Sequence, residues 1–93
     1  MFPFNTDQEI RAFIQSLINS GWKLYGEEEC IAEISPESML TETQRNSDNK
    51  LTSLLFYVTS PADRDVLNAV YAKRGNVVDT LINVVINEIF NKR

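Results

Sequence analysis

The most regular pattern of apolar and polar positions lies near the start of the chain. Its apolar residues recur three and four positions apart, which is the spacing of one buried helix face. They are Ile10, Phe13, Ile14, Leu17 and Ile18. Thr6 and Glu9 precede all of them in the arrangement of a capping box. Gly21 follows and can take the left-handed conformation that commonly ends a helix. The pattern therefore predicts an amphipathic helix between Thr6 and Gly21.

A period of two replaces the helical period between Trp22 and Ile34. One face of this predicted strand is apolar and consists of Trp22, Leu24, Cys30, Ala32 and Ile34. The segment Gly26–Glu28 interrupts that face. It is either a tight turn between two short strands or a bulge within one long strand. We favour the turn.

The middle of the chain contains a break, a polar stretch and another strand. Pro36 is placed to open one helical turn through Leu40, with Ser35 as its cap. Residues 41–50 are polar throughout and predict an exposed loop. Residues 51–59 predict a strand with apolar side chains on both faces, which indicates a central strand or one covered on both sides. One face carries Leu54, Phe56 and Val58, and the other carries Leu51, Ser53, Leu55, Tyr57 and Thr59.

Helical signals follow this strand. Ser60 and Pro61 suit the cap and first position of a helix. The next apolar residues keep a helical spacing and are Val66, Leu67, Val70 and Tyr71. A single helix from Pro61 to Lys92 would be about 48 Å long, which is too long for so small a domain. We therefore predict that Gly75 ends one helix and Asn76 caps another, with one kinked helix as the alternative.

The last predicted helix, residues 77–92, is apolar around most of its circumference. Its polar side chains recur at every fourth position and form a narrow stripe of Asp79, Asn83, Asn87 and Asn91. Such a helix either lies at the centre of the domain or presents apolar surface to a second chain. We favour the second interpretation. It predicts a homodimer interface formed by Val78, Leu81, Ile82, Val85 and Ile89.

These patterns predict a single α+β domain that spans residues 1–93. The predicted element order is helix, three strands and two helices. A small antiparallel sheet of two or three strands would be packed by the N-terminal helix. One broken helix or two consecutive helices would complete the domain at the C-terminal end.

Length and charge narrow the class of protein. The chain has 93 residues and a formal net charge of −4, which suits one small globular domain. Residues 1–44 carry eight acidic and two basic side chains, so the sequence disfavours direct binding of nucleic acid. The N-terminal residues do not resemble a signal peptide, and no stretch approaches the roughly 18 apolar residues of a membrane span. We therefore expect a cytoplasmic protein that makes no contact with a membrane.

Catalytic chemistry has little support in the sequence. Histidine is absent and Cys30 is the only cysteine. Without histidine the chain cannot form the usual catalytic triads, and with one cysteine it cannot form a thiolate metal site or an internal disulfide. Because Cys30 falls on the apolar face of a predicted strand, we interpret it as a core residue. We predict no catalytic, cofactor-binding or metal-binding residues and do not expect an enzyme.

The strongest candidate for a functional site is a group of acidic residues, Glu27, Glu28, Glu29 and Glu33. They lack the alternating carboxylates and central glycine of a calcium loop. One interpretation is an acidic face that only contacts water. The other is a contact surface for a protein partner with a basic groove, because opposite charges steer association.

The sequence thus predicts a small acidic protein-binding module without enzymatic activity. More concretely, we expect an inhibitor of a nucleic-acid-handling enzyme or toxin, comparable in size and charge with phage anti-defence and immunity proteins. The alternative is a structural or assembly subunit that associates through its apolar C-terminal helix.

Overall fold

The computed structural model describes residues 2–59 and 67–91. Within them lie α1 (Asp7–Asn19), β1 (Lys23–Tyr25), β2 (Glu33–Ile34), a 3-10 turn (Pro36–Ser38), β3 (Leu40–Arg45), β4 (Leu51–Thr59), β5 (Leu67–Ala69), β6 (Tyr71–Arg74), β7 (Val77–Thr80) and α2 (Leu81–Phe90). The α+β class is confirmed. The single small sheet is wrong, because the strands form a four-stranded sheet in the order β2-β1-β6-β7 and a three-stranded sheet in the order β3-β4-β5.

Helix α1 confirms the prediction from its capping box and apolar spacing. The Thr6 hydroxyl oxygen accepts a hydrogen bond from the Glu9 backbone N–H at 3.2 Å. Gly21 has a φ of +102° just after the helix, a value that L side chains rarely adopt. The helix buries Ile10, Ile14 and Leu17 in the core, so one face provides most of its stabilisation by apolar burial.

Strands β1 and β2 pair in an antiparallel manner, which confirms the turn at Gly26. The prediction for Cys30 and Ala32 is wrong, because both lie in the connection between the two strands. Cys30 has a φ of +56° and is half-buried, and Ala32 is exposed. The period of two continues through this segment in the sequence, but no partner strand pairs with it in the described residues.

The prediction of a loop at residues 41–50 is wrong for residues 41–45, which belong to β3 and pair with β4. An edge strand with mostly exposed faces does not need apolar side chains, so polarity alone gave no sign of it. The predicted exposure of residues 41–50 is confirmed for all of them except Thr43, which is half-buried. The turn that follows is closed by Asn46, whose Oδ1 accepts hydrogen bonds from the N–H groups of Asp48 and Lys50 at 3.0 Å each.

Strand β4 is the central strand of its sheet, as predicted. Leu54, Phe56 and Val58 point into the core, whereas Leu55 is exposed on the opposite face. Leu51 was predicted on the same face as Leu55 but is buried. The register explains this, because Gln44 pairs with Ser53 and Arg45 pairs with Leu51. Thr52 is therefore an extra residue in β4, a bulge that turns Leu51 inwards.

The predicted helix before Gly75 is wrong over residues 67–74, which form β5 and β6 with Val70 between them. Its proposed start at Ser60 and Pro61 lies outside the described residues. Arg74 pairs with Val77 across the two-residue turn Gly75–Asn76, so this segment is a β-hairpin. Gly75 has a φ of +61° and Asn76 does not have a positive φ, which is the pattern of a type II′ turn.

Helix α2 begins at Leu81 instead of Val77, because residues 77–80 form β7. It packs against β4, β6 and β7 and therefore contacts strands of both sheets. Its predicted polar stripe is confirmed as solvent-facing for Asn83, Asn87 and Asn91, which are exposed, whereas Asp79 is half-buried and belongs to β7. The Asn83 side-chain N–H donates to Asp79 Oδ1 at 3.1 Å across the helix start.

Candidate protein-binding surface

The four predicted acidic residues lie on one hairpin. Glu27, Glu28 and Glu29 are exposed in the connection between β1 and β2, and Glu33 is exposed at the first position of β2. The Glu27 carbonyl accepts a hydrogen bond from the Cys30 N–H at 3.2 Å, which closes the turn around the three consecutive glutamates. We call residues 27–33 the acidic hairpin. It concentrates four carboxylates at one end of the four-stranded sheet.

A cleft of about 450 Å³ lies beside the acidic hairpin. Residues of the acidic hairpin, its two flanking residues, the 3-10 turn, β4 and β5 line it; they are Gly26, Glu27, Ala32, Ile34, Ser38, Val58, Thr59 and Asn68. A Cβ atom on Gly26 would lie 3.1 Å from Val58 Cγ2, so glycine lets the two sheets approach closely here. The cleft combines apolar walls with a carboxylate and three neutral polar side chains, a lining that suits a long basic side chain with an apolar stem.

Metal binding has no geometric support within residues 2–59 and 67–91. No group of three or more Asp, Glu or Cys side chains there is arranged to hold a metal ion. None of the helices in the same part of the chain has the length and apolar character needed to cross a membrane.

The predicted dimer interface on the last helix needs correction. Leu81 and Val85 are fully buried within the chain, so they offer no surface to a partner. Ile82 and Ile89 are half-buried and pack against the core, and Val78 is exposed on β7 instead of on the helix. The apolar helix sides predicted to lack a cover are covered by strands of both sheets. The five residues therefore do not form one exposed surface.

A different apolar surface is exposed on the outer face of the three-stranded sheet. Leu40 lies opposite Tyr57, and Leu67 lies opposite Thr59 on the other side of the central strand. Leu55 precedes Tyr57 on the same face of β4. We call Leu40, Leu55, Tyr57 and Leu67 the leucine surface, and its three leucines are exposed. Contiguous exposed apolar residues of this kind commonly mark an association site.

Sequence reasoning missed the leucine surface because it placed Leu40 in a helical turn and Leu67 in a helix. Two signals could have revealed the strands. Thr41 and Thr43 alternate with longer polar residues ahead of an Asn-rich turn. Gly75–Asn76 separates two short runs in the manner of a two-residue hairpin turn.

Comparison with known proteins gives no further guide to the role of these surfaces. No protein-family model, curated protein or solved structure matches the chain.

Proposed function

We propose that this protein is a non-enzymatic protein-binding module that uses the acidic hairpin to contact a basic groove on a partner. The observation that carries the proposal is the exposure of three consecutive glutamates on a hairpin turn beside a cleft. In its more specific form, the proposal is that the partner is a nucleic-acid-handling enzyme or toxin. The protein would inhibit it in the cytoplasm by occupying the groove that holds phosphate.

The charge and shape of the site support this function. A nucleic-acid-binding groove carries lysines and arginines, which an array of carboxylates attracts over several ångströms. The cleft adds a place where one basic side chain of the partner could bury its apolar stem while its charged end meets Glu27. An acidic face that only contacts water needs no such cleft next to it.

Changing Glu27, Glu28 and Glu29 together to Gln should slow association with the partner by about 10- to 100-fold at low salt. The reason is the loss of long-range attraction without a change of side-chain size. Affinity capture from a lysate of cells that express the protein would supply the partner. Stopped-flow or surface-plasmon measurements would then give the rates, and assays of the captured enzyme would show inhibition by the unaltered protein.

The matched control removes three exposed carboxylates elsewhere, with Glu37→Gln, Glu42→Gln and Asp48→Asn in one variant. Both variants change the net charge equally, so a general charge effect would slow both alike. Equal rates for the two variants would contradict the proposed site. Capture of no partner at low or high salt would contradict the function itself.

Assembly through a protein surface is the second candidate function. The specific observation is the leucine surface, which replaces the C-terminal helix as the exposed apolar region. We propose it as the site of homodimer formation if the protein acts as a structural or assembly subunit. Tyr57 at its centre adds an aromatic ring of the kind enriched in interface cores.

Leu55→Lys should convert such a dimer into a monomer, because the new charge would be buried against its symmetry mate. Light scattering after size-exclusion chromatography measures the mass directly. Val77→Lys on β7 is a matched control, since Val77 is also exposed but belongs to the other sheet. A monomeric unaltered protein would rule out this candidate.

A further inference from the structure

The strand register brings two tyrosines and two lysines together on the four-stranded sheet. Strands β1 and β6 are antiparallel neighbours, in which Tyr25 lies opposite Tyr71 and Lys23 lies opposite Lys73. Directly opposed residues have Cβ atoms about 5 Å apart. Each strand thus contributes one tyrosine and one lysine to a compact group of four, which we call the tyrosine platform.

The tyrosine platform lies on the outer face of the sheet. Leu24 and Ala72 alternate with its members along the two strands and are buried in the core. Because successive side chains of a strand point to opposite faces, the platform must point to solvent. Lys23 and Lys73 are exposed and the two tyrosines are half-buried, as expected for rings that lie partly on neighbouring side chains.

The neighbours of the platform define its charge. Lys73 lies opposite the exposed Val78, and Tyr71 lies opposite Thr80, so no acidic residue adjoins it on the β7 side. Glu33 lies opposite Tyr25 at the β2 edge. The remaining cation of β6, Arg74, belongs to the other face and stacks on Trp22 with its guanidinium carbon 4.5 Å from the ring centroid. The platform therefore carries two positive charges of its own, and Glu33 is the acidic residue paired with its Tyr25.

The opposed lysines need a physical explanation. Like charges directly across a strand pair destabilise a sheet. A bound anion placed between the two ammonium groups would offset that repulsion. The adjacent tyrosine rings provide flat apolar surfaces, on which planar rings of a ligand can stack. An anion that also carries planar rings fits both halves of the platform.

We propose that the tyrosine platform binds single-stranded nucleic acid, with bases stacked on Tyr25 and Tyr71 and phosphates beside Lys23 and Lys73. Sheet faces with aromatic and basic side chains bind single strands in this way. The platform borders the acidic hairpin at Glu33 but shares no residue with it, and it uses none of the glutamates of the test variant for the proposed function. Much of the net negative charge that disfavoured nucleic acid in the sequence lies in the acidic hairpin, which borders the platform through Glu33. The four residues of the platform themselves carry a positive charge from Lys23 and Lys73.

Fluorescence anisotropy of a dye-labelled oligothymidine tests this proposal with the full chain. Two phosphate contacts predict a slope of about −1.4 for the logarithm of affinity against the logarithm of salt concentration. Tyr25→Leu or Tyr71→Leu should weaken binding by about 5- to 150-fold through loss of base stacking. Lys23→Gln should reduce the slope by about half, because one of the two phosphate contacts is lost.

Matched variants distinguish a loss of nucleic-acid binding from a loss of the folded structure. Tyr25→Phe keeps the ring and should keep the affinity, while Lys50→Gln makes the same charge change in the β3–β4 turn and should keep the slope. Circular dichroism of each variant shows whether the fold is retained. The lysine variants alter exposed side chains, so they test the proposal even if a tyrosine variant fails to fold.

Competing ligands decide whether bases take part. Inorganic polyphosphate supplies phosphates without rings, and polyglutamate supplies carboxylates. If either competes as well as unlabelled oligothymidine does, the surface is a general anion site and the proposal is overturned. It is equally overturned if no binding occurs at low salt and millimolar protein. Neither result bears on the glutamate variants, which test the acidic hairpin alone.

Discussion

Replacing Leu81 by alanine should lower the free energy of unfolding by about 3–4 kcal/mol. Leu81 has no exposed surface, and its backbone N–H donates to the Val70 carbonyl at 2.8 Å, which holds the start of α2 against the residue that joins β5 to β6. Removing its side chain leaves a cavity between the helix and both sheets. A small domain has only about 5–15 kcal/mol of stability, so the variant should fold but unfold at much lower urea concentration.

Phe90→Ala on the same helix is the control for this experiment. Phe90 is 52% exposed, and its ring centroid lies 6.2 Å from that of Phe2. Its loss should cost about 1 kcal/mol or less, because little buried surface is removed. If both variants lost equally little stability, Leu81 would have to be exposed, as the sequence-based dimer interface requires. Urea unfolding followed by tryptophan fluorescence distinguishes the two outcomes.

The bulge in β4 predicts a large difference between two identical substitutions. Leu51→Ala should cost about 3 kcal/mol, whereas Leu55→Ala should cost less than about 0.5 kcal/mol. Strict alternation would place both leucines on one face, but Leu51 is 1% exposed and Leu55 is 49% exposed. Only the extra residue at Thr52 accounts for this difference.

Calorimetric melting of the two variants measures the difference directly. A difference of about 2.5 kcal/mol corresponds to a gap in melting temperature of roughly 10–20 °C for a domain of this size. Deleting Thr52 provides an independent check. The deletion removes the extra residue, so the pairing between β3 and β4 becomes regular while Leu51 still points into the core. Equal losses for Leu51→Ala and Leu55→Ala would show that the strand is not bulged.

The elements predicted correctly are those whose signals are local. Thr6, Glu9 and Gly21 act within one turn of α1, so their meaning does not depend on the rest of the fold. Residues 51–59 have enough apolar and β-branched side chains to indicate a strand in any context. The polar stripe of α2 likewise follows from helical geometry alone.

The elements predicted wrongly depend on a partner strand. The spacing of Val70 and Tyr71 with earlier apolar residues fits a helix, yet the hairpin through Gly75 gives Val70 a place in the core and Tyr71 a place outside. Residues 41–45 are a strand because β4 offers them hydrogen bonds, not because of their side chains. No local rule contains that information.

The acidic hairpin was identified from sequence because its glutamates are consecutive, and consecutive charges stay near each other in any fold. The tyrosine platform could not be identified in this way, since β1 and β6 are far apart in the chain and meet only through sheet register. The same holds for the leucine surface, whose three strands come from separate segments.

The sequence by itself determined the α+β class, the first helix, the central strand and the place of the acidic residues. The tertiary structure decided what the apolar C-terminal helix does. With residues 67–80 assigned to helices, no element was available to cover all apolar sides of this helix. In the structure these residues form strands that pack against the helix, so its apolar sides are part of the core. The physical reason is that a side chain becomes buried only when a second surface packs against it. The local sequence pattern shows which side chains are apolar but not which segment of the chain will cover them.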